Sequence, residues 1–172
     1  VYFQRGVPQK IDGKVFKLRS LIEHLNTLGG LHGIGRYDVV ENRLVGIKSR
    51  EIYEAPGATI LYIAHKELES LVLDRELAHF KEIIALKYSE LVYYGLWYSH
   101  LKQALDGFVN STQKYVTGTI RLKLFKGNCV AVARKSAHSL YKKELSTYGK
   151  GDTFDPKLAE GFNKIWGMPY KR

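Results

Sequence analysis

This sequence of 172 residues has one cysteine and one methionine, and each low count excludes certain features of the protein. The single cysteine, Cys129, excludes an internal disulfide and a zinc site built from several cysteines. It is typical of a protein from a reducing compartment, so we expect a cytoplasmic location. The only methionine is Met168, so Val1 is not a translation start, and we expect the sequence to begin inside a longer protein.

Long apolar runs are also missing. No stretch approaches the roughly 18 residues that a transmembrane helix needs, because charged side chains interrupt each one. With 45% hydrophobic, 26% charged and 12% aromatic residues, the composition excludes disordered and collagen-like classes. A compact chain of this size buries about 70% of its unfolded surface. We therefore expect a soluble protein with one domain, or one domain and an appendage.

Acidic residues are outnumbered. The sequence has 27 lysines and arginines against 17 aspartates and glutamates, which gives a formal net charge of +10. Such an excess suits nucleic acid, an anionic substrate or an acidic protein surface. The charge by itself does not choose among these three partners.

Hydrophobic periodicity predicts both helices and strands. The predicted elements are a hairpin over 1–11, a helix from Leu18 to Leu28 ended by Gly29-Gly30, strands over 36–52 with a turn near Glu41-Asn42, three helices between Pro56 and Val109, a hairpin over 120–132 around Gly127-Asn128, and a helix over Pro156 to Trp166. There is no internal repeat and no flexible linker. This order predicts an α+β fold in which antiparallel strands pack with several helices.

Residues 36–54 concentrate charges of both signs in an apolar neighbourhood. Four basic and four acidic residues lie there: Arg36, Arg43, Lys48, Arg50, Asp38, Glu41, Glu51 and Glu54. A nucleic-acid surface would carry one sign, whereas mixed charges beside Tyr37 and Tyr53 suit a zwitterionic small molecule such as an amino acid. Ordinary ion pairs on a sheet face would give the same pattern, so both interpretations stay open.

Other patterns give weaker indications. Glycines 29, 30, 33 and 35 do not indicate a nucleotide loop, because a helix precedes them and no Gly-Lys-Ser/Thr follows; we expect a tight turn that orients Arg36. The six histidines lack metal-binding spacing, and no nucleophile elbow is present. The sequence therefore predicts no metal site and identifies no catalytic residue.

A basic strip supports an alternative function. It consists of Arg121, Lys123, Lys126, Arg134 and Lys135 together with Phe125. Such a strip on a sheet face could bind single-stranded nucleic acid. A solvated hairpin face explains it equally well, and charge is its only support.

More specific motifs lie in residues 25–57, which include Val-Glu-Asn-Arg at 40–43 and Ile-Tyr-Glu at 52–54. This segment resembles the argininosuccinate synthase family. The resemblance continues in order through Leu73-Asp74-Arg75-Glu76, Val116-Thr117-Gly118-Thr119, Lys126-Gly127-Asn128, Ser139-Leu140-Tyr141 and Gly161-Phe162. It covers the family's second half, and it implies a synthetase domain over 1–150 and a C-terminal oligomerisation segment over 151–172.

The resemblance implies an enzyme that joins citrulline to aspartate while ATP, accompanied by Mg²⁺, is cleaved to AMP and pyrophosphate. In the family the ureido oxygen is adenylated, and the aspartate amine then displaces AMP. The family's nucleotide-binding motifs belong to its N-terminal half, so this chain alone is expected to be inactive. The implied assembly is a homotetramer, and neither nucleic acid nor a membrane is an expected partner.

Two residues are assigned through the family motifs. The resemblance implies that Glu41 and Tyr53 bind citrulline, which is chemically reasonable because a carboxylate pairs with an α-ammonium group and a phenol donates a directional hydrogen bond. The sequence departs from the family pattern at Glu51, where glycine is common, and at His100, where proline is usual. Neither departure has an assigned role.

Overall fold

Helices and antiparallel strands alternate along the chain in a computed structural model that describes residues 1–145 and 153–171. The strands are β1 (Tyr2–Gln4), β2 (Val7–Ile11), β3 (Lys14–Val15), β4 (Arg36–Asn42), β5 (Lys48–Glu54), β6 (Gly118–Phe125) and β7 (Asn128–Lys135). The helices are α1 (Leu18–Leu31), α2 (Pro56–Val72), α3 (Arg75–Tyr93), α4 (His100–Thr112) and α5 (Lys157–Trp166). This combination confirms the predicted α+β class and the C-terminal helix.

The strands form two sheets. A five-stranded antiparallel sheet has the order β3-β2-β1-β6-β7, so the N-terminal strands pair with a hairpin more than a hundred residues later in the chain. β4 and β5 form a separate two-stranded sheet. The β6–β7 hairpin turns at Lys126-Gly127, where both residues have positive φ. The predicted Gly127-Asn128 turn is therefore displaced by one residue.

Helix α2 is central to the core of the first of two compact units, Val1–Leu140. One end of its apolar stripe packs with Phe3 of β1 and Ile120 of β6, and the other end packs with α1 through Ile60. Burial of such side chains is the main source of stability, about 1.5–3 kcal/mol each. Helix α2 therefore joins the five-stranded sheet to α1. Its packing also fixes the position of the segment that follows β5.

Two predicted boundaries are wrong. Gly29 and Gly30 lie inside α1 rather than ending it; the chain leaves the helix at His32 and Gly33, where φ is +67°. The predicted turn near Glu41-Asn42 lies within β4, and the actual turn covers 43–47, closed by the Arg43 N–H donating to the Ile47 carbonyl at 2.8 Å. Gly46, with φ +87°, provides the left-handed conformation that this turn requires.

The second unit is Tyr141–Arg172, and the predicted domain boundary between 150 and 151 lies outside the described residues. Its helix α5 has no buried residue, although every residue of the helix is described. The apolar side chains Leu158, Phe162, Ile165 and Trp166 are all more than half exposed. Within the described ranges of the chain, no helix is both long and apolar enough to cross a membrane.

Candidate functional site

The β4–β5 hairpin separates its side chains onto two faces. Glu41 is opposite Ser49, and Tyr37 is opposite Tyr53, so these positions share one face because side chains alternate along a strand. Val39 and Glu51 occupy the pair between them. The two residues that the family motifs assign to citrulline are therefore on the same side of the hairpin.

Glu41 and Tyr53 are in direct contact. The Tyr53 hydroxyl donates a hydrogen bond to Oε2 of Glu41 at 3.2 Å, although the residues are twelve positions apart in the chain. Partial desolvation of the phenol, with the hydrogen bond to Glu41 and the charges of Glu41 and Glu51, raises the pKa of Tyr53. The phenol therefore stays protonated near neutral pH and remains a donor.

A guanidinium group lies between the two carboxylates of this face. Nη1 of Arg43 is 3.4 Å from Oε1 of Glu41 and 3.3 Å from Oε1 of Glu51. The Glu41 side chain is the less exposed of the two, at 21% against 34% for Glu51. With one cation and two carboxylates, this cluster has a net charge of −1, which favours a cationic ligand group.

The opposite face of the hairpin holds conventional ion pairs. Nε of Arg50 donates to Oδ1 of Asp38 at 2.8 Å, and Nε of Arg36 is 3.1 Å from Oε1 of Glu54. The hydrogen bond from Arg50 lowers the pKa of Asp38. The interpretation as ordinary ion pairs therefore describes this face of the hairpin.

The hairpin is fixed at its base and open near Glu41. The Tyr37 hydroxyl is 2.8 Å from Oγ1 of Thr59 in α2, and the Ala55 N–H donates to the Gly35 carbonyl at 2.8 Å. A side chain at Gly35 would come within 2.6 Å of the Ala55 oxygen, and φ there is +75°, so this close approach requires glycine. These contacts hold the hairpin against the start of α2.

Two open pockets of about 420 and 430 Å³ share Glu41 and Tyr93. Tyr93 is the last residue of α3, and the other lining residues are Asn42, Arg43, Leu44, Val45, Tyr53, Ser89, Glu90 and Tyr94. The C-terminal end of a helix carries partial negative charge, which adds to the carboxylates in favouring a cation. The pockets therefore combine carboxylate, phenol and aliphatic groups suited to an amino acid that presents its ammonium group.

The chain is similar to known proteins over its whole length. A family model described as "Arginosuccinate synthase C-terminal domain" matches residues 1–172. The chain belongs to the argininosuccinate synthase family. It is 57% identical over 171 residues to the argininosuccinate synthase of Bacillus licheniformis, covering 99% of this chain and 42% of the relative.

Other argininosuccinate synthases match to a similar extent. Identity is 56% over 169 residues with that of Synechococcus sp. strain JA-3-3Ab, and 53% over 171 residues with that of Endomicrobium trichonymphae. These alignments cover 98% and 99% of this chain but 42% and 41% of the relatives. The chain thus spans about two fifths of the length of the argininosuccinate synthases it matches.

The glycine-rich loop before β4 has its own hydrogen bonds. The N–H groups of His32 and Ile34 donate to the Gly29 carbonyl, and that of Gly33 donates to the Gly30 carbonyl. A phosphate cradle needs N–H groups that point at the anion. This loop instead ends α1 and leads into Arg36, as the sequence predicted.

The basic strip is only partly one surface. Arg134 forms an ion pair with Glu67, donating from Nε at 2.6 Å. Arg121, Lys123 and Lys135 are exposed on β6 and β7, and Lys126 lies over the Phe125 ring at 5.3 Å.

In the part of the chain that the structure describes, no three or more His, Cys, Asp or Glu side chains are grouped so that they could hold a metal ion.

A more enclosed cavity, of about 280 Å³, lies between α2 and α3. Its charged groups are paired with one another: Lys81 is 3.1 Å from Glu69, and Lys66 is 3.0 Å from Glu82. Gln113 also donates to Glu69 at 2.8 Å. These polar groups already have partners, so the cavity offers a ligand less than the pockets at Glu41 do.

Sequence reasoning missed Arg43 and Tyr93 as parts of the site. Arg43 was noted only as one of eight charges, and the period-two alternation of β4 could have placed it beside Glu41 had the turn been located correctly. Tyr93 comes from a helix about fifty residues further along the chain, and no local pattern connects the two segments. The structure brings Glu41 and Tyr53 together, and their role as citrulline ligands stays a prediction.

Proposed function

We propose that this chain forms the citrulline-binding part of an argininosuccinate synthase, which ligates citrulline and aspartate and cleaves ATP to AMP and pyrophosphate. The observation that carries the proposal is the 3.2 Å contact of Tyr53 with Glu41 on the open face of the hairpin. Family membership supports the proposed reaction, and this contact supports a binding site for one substrate.

The chemistry of binding follows from the two side chains. The α-ammonium of citrulline donates to Glu41, and the two charges attract strongly because the carboxylate is only 21% exposed. Tyr53 holds the second oxygen of Glu41 and keeps the carboxylate turned toward the pockets. These residues bind and orient the end of citrulline that lies away from its reacting ureido group.

ATP, aspartate and the accompanying Mg²⁺ belong mainly to the remainder of the enzyme in this proposal. The chain alone should then release no pyrophosphate from ATP and make no argininosuccinate. Residues 151–172 would serve assembly into a homotetramer, with the exposed apolar side chains of α5 as the contact surface.

The test is Glu41→Gln in the full-length enzyme. This change keeps the shape and removes the charge, so the citrulline KM should rise about tenfold to a hundredfold, the loss expected for one charge-assisted hydrogen bond. The kcat and the KM for ATP should change little, because the ammonium is remote from the reacting atoms. Steady-state kinetics with citrulline and ATP varied separately measure all three constants.

Asp38→Asn is the matched control. Asp38 lies on the same strand, but on the opposite face and paired with Arg50. Its loss should affect thermal unfolding and leave the citrulline KM unchanged. A normal citrulline KM in Glu41→Gln, with only a lower melting temperature, would show that Glu41 supports the fold and not the substrate.

A further inference from the structure

Arg43 is shared between two acceptors on the site face. A single nitrogen, Nη1, lies 3.4 Å from Glu41 and 3.3 Å from Glu51. Charge-assisted N–H···O bonds are ordinarily about 2.7–2.9 Å, so both contacts are longer than usual and neither is a strong hydrogen bond. The guanidinium is therefore placed to move toward either carboxylate at small cost.

In this position Arg43 competes with an incoming ammonium group for binding to Glu41. A guanidinium beside Oε1 neutralises the carboxylate that an incoming ammonium needs, and a free arginine would settle on the less exposed of the two acceptors. Glu51 offers the alternative partner on the adjacent strand, on the same face of the hairpin. Arg43 can therefore move away from Glu41, which frees that carboxylate for a ligand, and stay paired with Glu51.

We propose that Glu51 is a positioning residue, which holds Arg43 when the substrate ammonium binds Glu41. This proposal rests on the proposed citrulline site. The ammonium replaces Arg43 at Glu41, Arg43 keeps its bond to Glu51, and the cluster passes from a net charge of −1 to neutrality. No covalent bond changes, and Tyr53 continues to donate to Oε2 of Glu41.

The experiment is a double-mutant cycle on Glu51 and Arg43 in the full-length enzyme. In Glu51→Gln, Arg43 has only Glu41 to pair with, so the citrulline KM should rise about two- to fivefold, the range for a partly exposed ion pair. The kcat and the ATP KM should stay near their original values. Glu51→Asp, which restores the charge, should recover part of the loss.

The second half of the cycle separates positioning from direct attraction. In the Arg43→Gln background there is no competitor, so adding Glu51→Gln should leave the citrulline KM unchanged. If Glu51 instead attracts the ammonium directly, the same rise in KM persists without Arg43, and the proposal is overturned. Glu54→Gln, on the same strand but the opposite face, is the matched control and should leave the KM unchanged.

The outcomes also distinguish this proposal from the proposed function. A normal citrulline KM in Glu41→Gln contradicts the citrulline site itself. A raised KM in Glu41→Gln, together with a normal KM in Glu51→Gln, keeps the site and contradicts the role of Glu51. Thermal unfolding of each variant reports any loss of stability, which would accompany a purely structural role.

Discussion

At the scale of single residues, Glu41 contacts more partner residues than any other carboxylate of the hairpin. One of its oxygens faces Arg43 and the other accepts from Tyr53. Both partners are donors, so the carboxylate is oriented before a ligand arrives. Such preorganisation reduces the ordering that binding would otherwise require.

Replacing Tyr53 by phenylalanine tests this orientation. Tyr53→Phe removes a neutral donor, so the citrulline KM should rise about two- to tenfold, less than in Glu41→Gln. Tyr37→Phe is the control, because the Tyr37 hydroxyl contacts Thr59 of α2 and not Glu41. It should lower the melting temperature and leave the citrulline KM unchanged; a smaller KM effect in Tyr53→Phe than in Tyr37→Phe would contradict the assigned roles.

At the scale of elements, the packing of α1 against α2 fixes where the hairpin begins. Gly29 is buried in this contact: a Cβ there would lie 2.7 Å from Cβ of Pro56 and 2.9 Å from Cδ1 of Ile60. The two helices can approach closely only because this position has no side chain. Since only Ala55 separates Pro56 from the hairpin, the contact also sets the position of the hairpin base.

Gly29→Ala and Gly30→Ala form a matched pair for this contact. Alanine is favoured over glycine by about 1 kcal/mol within a helix. At Gly30, which has nothing within 4 Å of an added Cβ, the substitution should raise the free energy of unfolding by up to that amount. At Gly29, overpacking should outweigh the gain and lower stability by about 1–3 kcal/mol.

Thermal and urea unfolding measure the two glycine variants side by side. The opposite signs are the decisive result, because intrinsic helix propensity is the same for both substitutions. Equal stabilisation by both alanines would mean that α1 and α2 do not meet at Gly29.

The elements differed in how well the sequence predicted them. Helices α2, α3 and α4 have long apolar stripes and were confirmed, as was the α+β class. The glycines of α1 misled because a pair of glycines ordinarily indicates a helix end, and here the tertiary contact at Gly29 requires one of them inside the helix. The turn of the β4–β5 hairpin was placed too early because Asn42 resembles a turn residue, whereas Gly46 has the positive φ.

The site was predictable only in part. The family motifs named Glu41 and Tyr53, and strand alternation explains why they share a face. The contributions of Arg43 and Tyr93 depend on the exact turn position and on a helix distant in sequence, and neither is encoded in a local pattern. Tertiary placement, not residue type, decides which charges of 36–54 surround the pockets.

At the scale of the whole molecule, helix α5 of the second unit carries exposed apolar side chains. Its side chains Phe162 and Trp166 stack at 5.5 Å between ring centres and are 60% and 65% exposed. Apolar surface of this kind on a helix is typical of a protein contact. A second copy of the enzyme is the partner that the proposed homotetramer supplies.

Phe162→Ser tests that role in the full-length enzyme. Loss of a large apolar side chain from a contact surface should shift the assembly toward smaller species, as measured by light scattering coupled to size-exclusion chromatography. Asn163→Ser, the adjacent exposed polar position, should leave the assembly unchanged. An unaltered molar mass for Phe162→Ser across a dilution series would contradict a role for α5 in assembly.

The two faces of the β4–β5 hairpin impose different rules on sequence change during evolution. On one face, Asp38 and Arg50 pair with each other, so exchanging them would preserve the pair in reverse. On the other face, exchanging Glu41 with Arg43 would keep the charge total but put a guanidinium where the substrate ammonium is proposed to bind. Descendants of this chain can therefore drift through compensating swaps on the first face, while on the second each charge is tied to its own place.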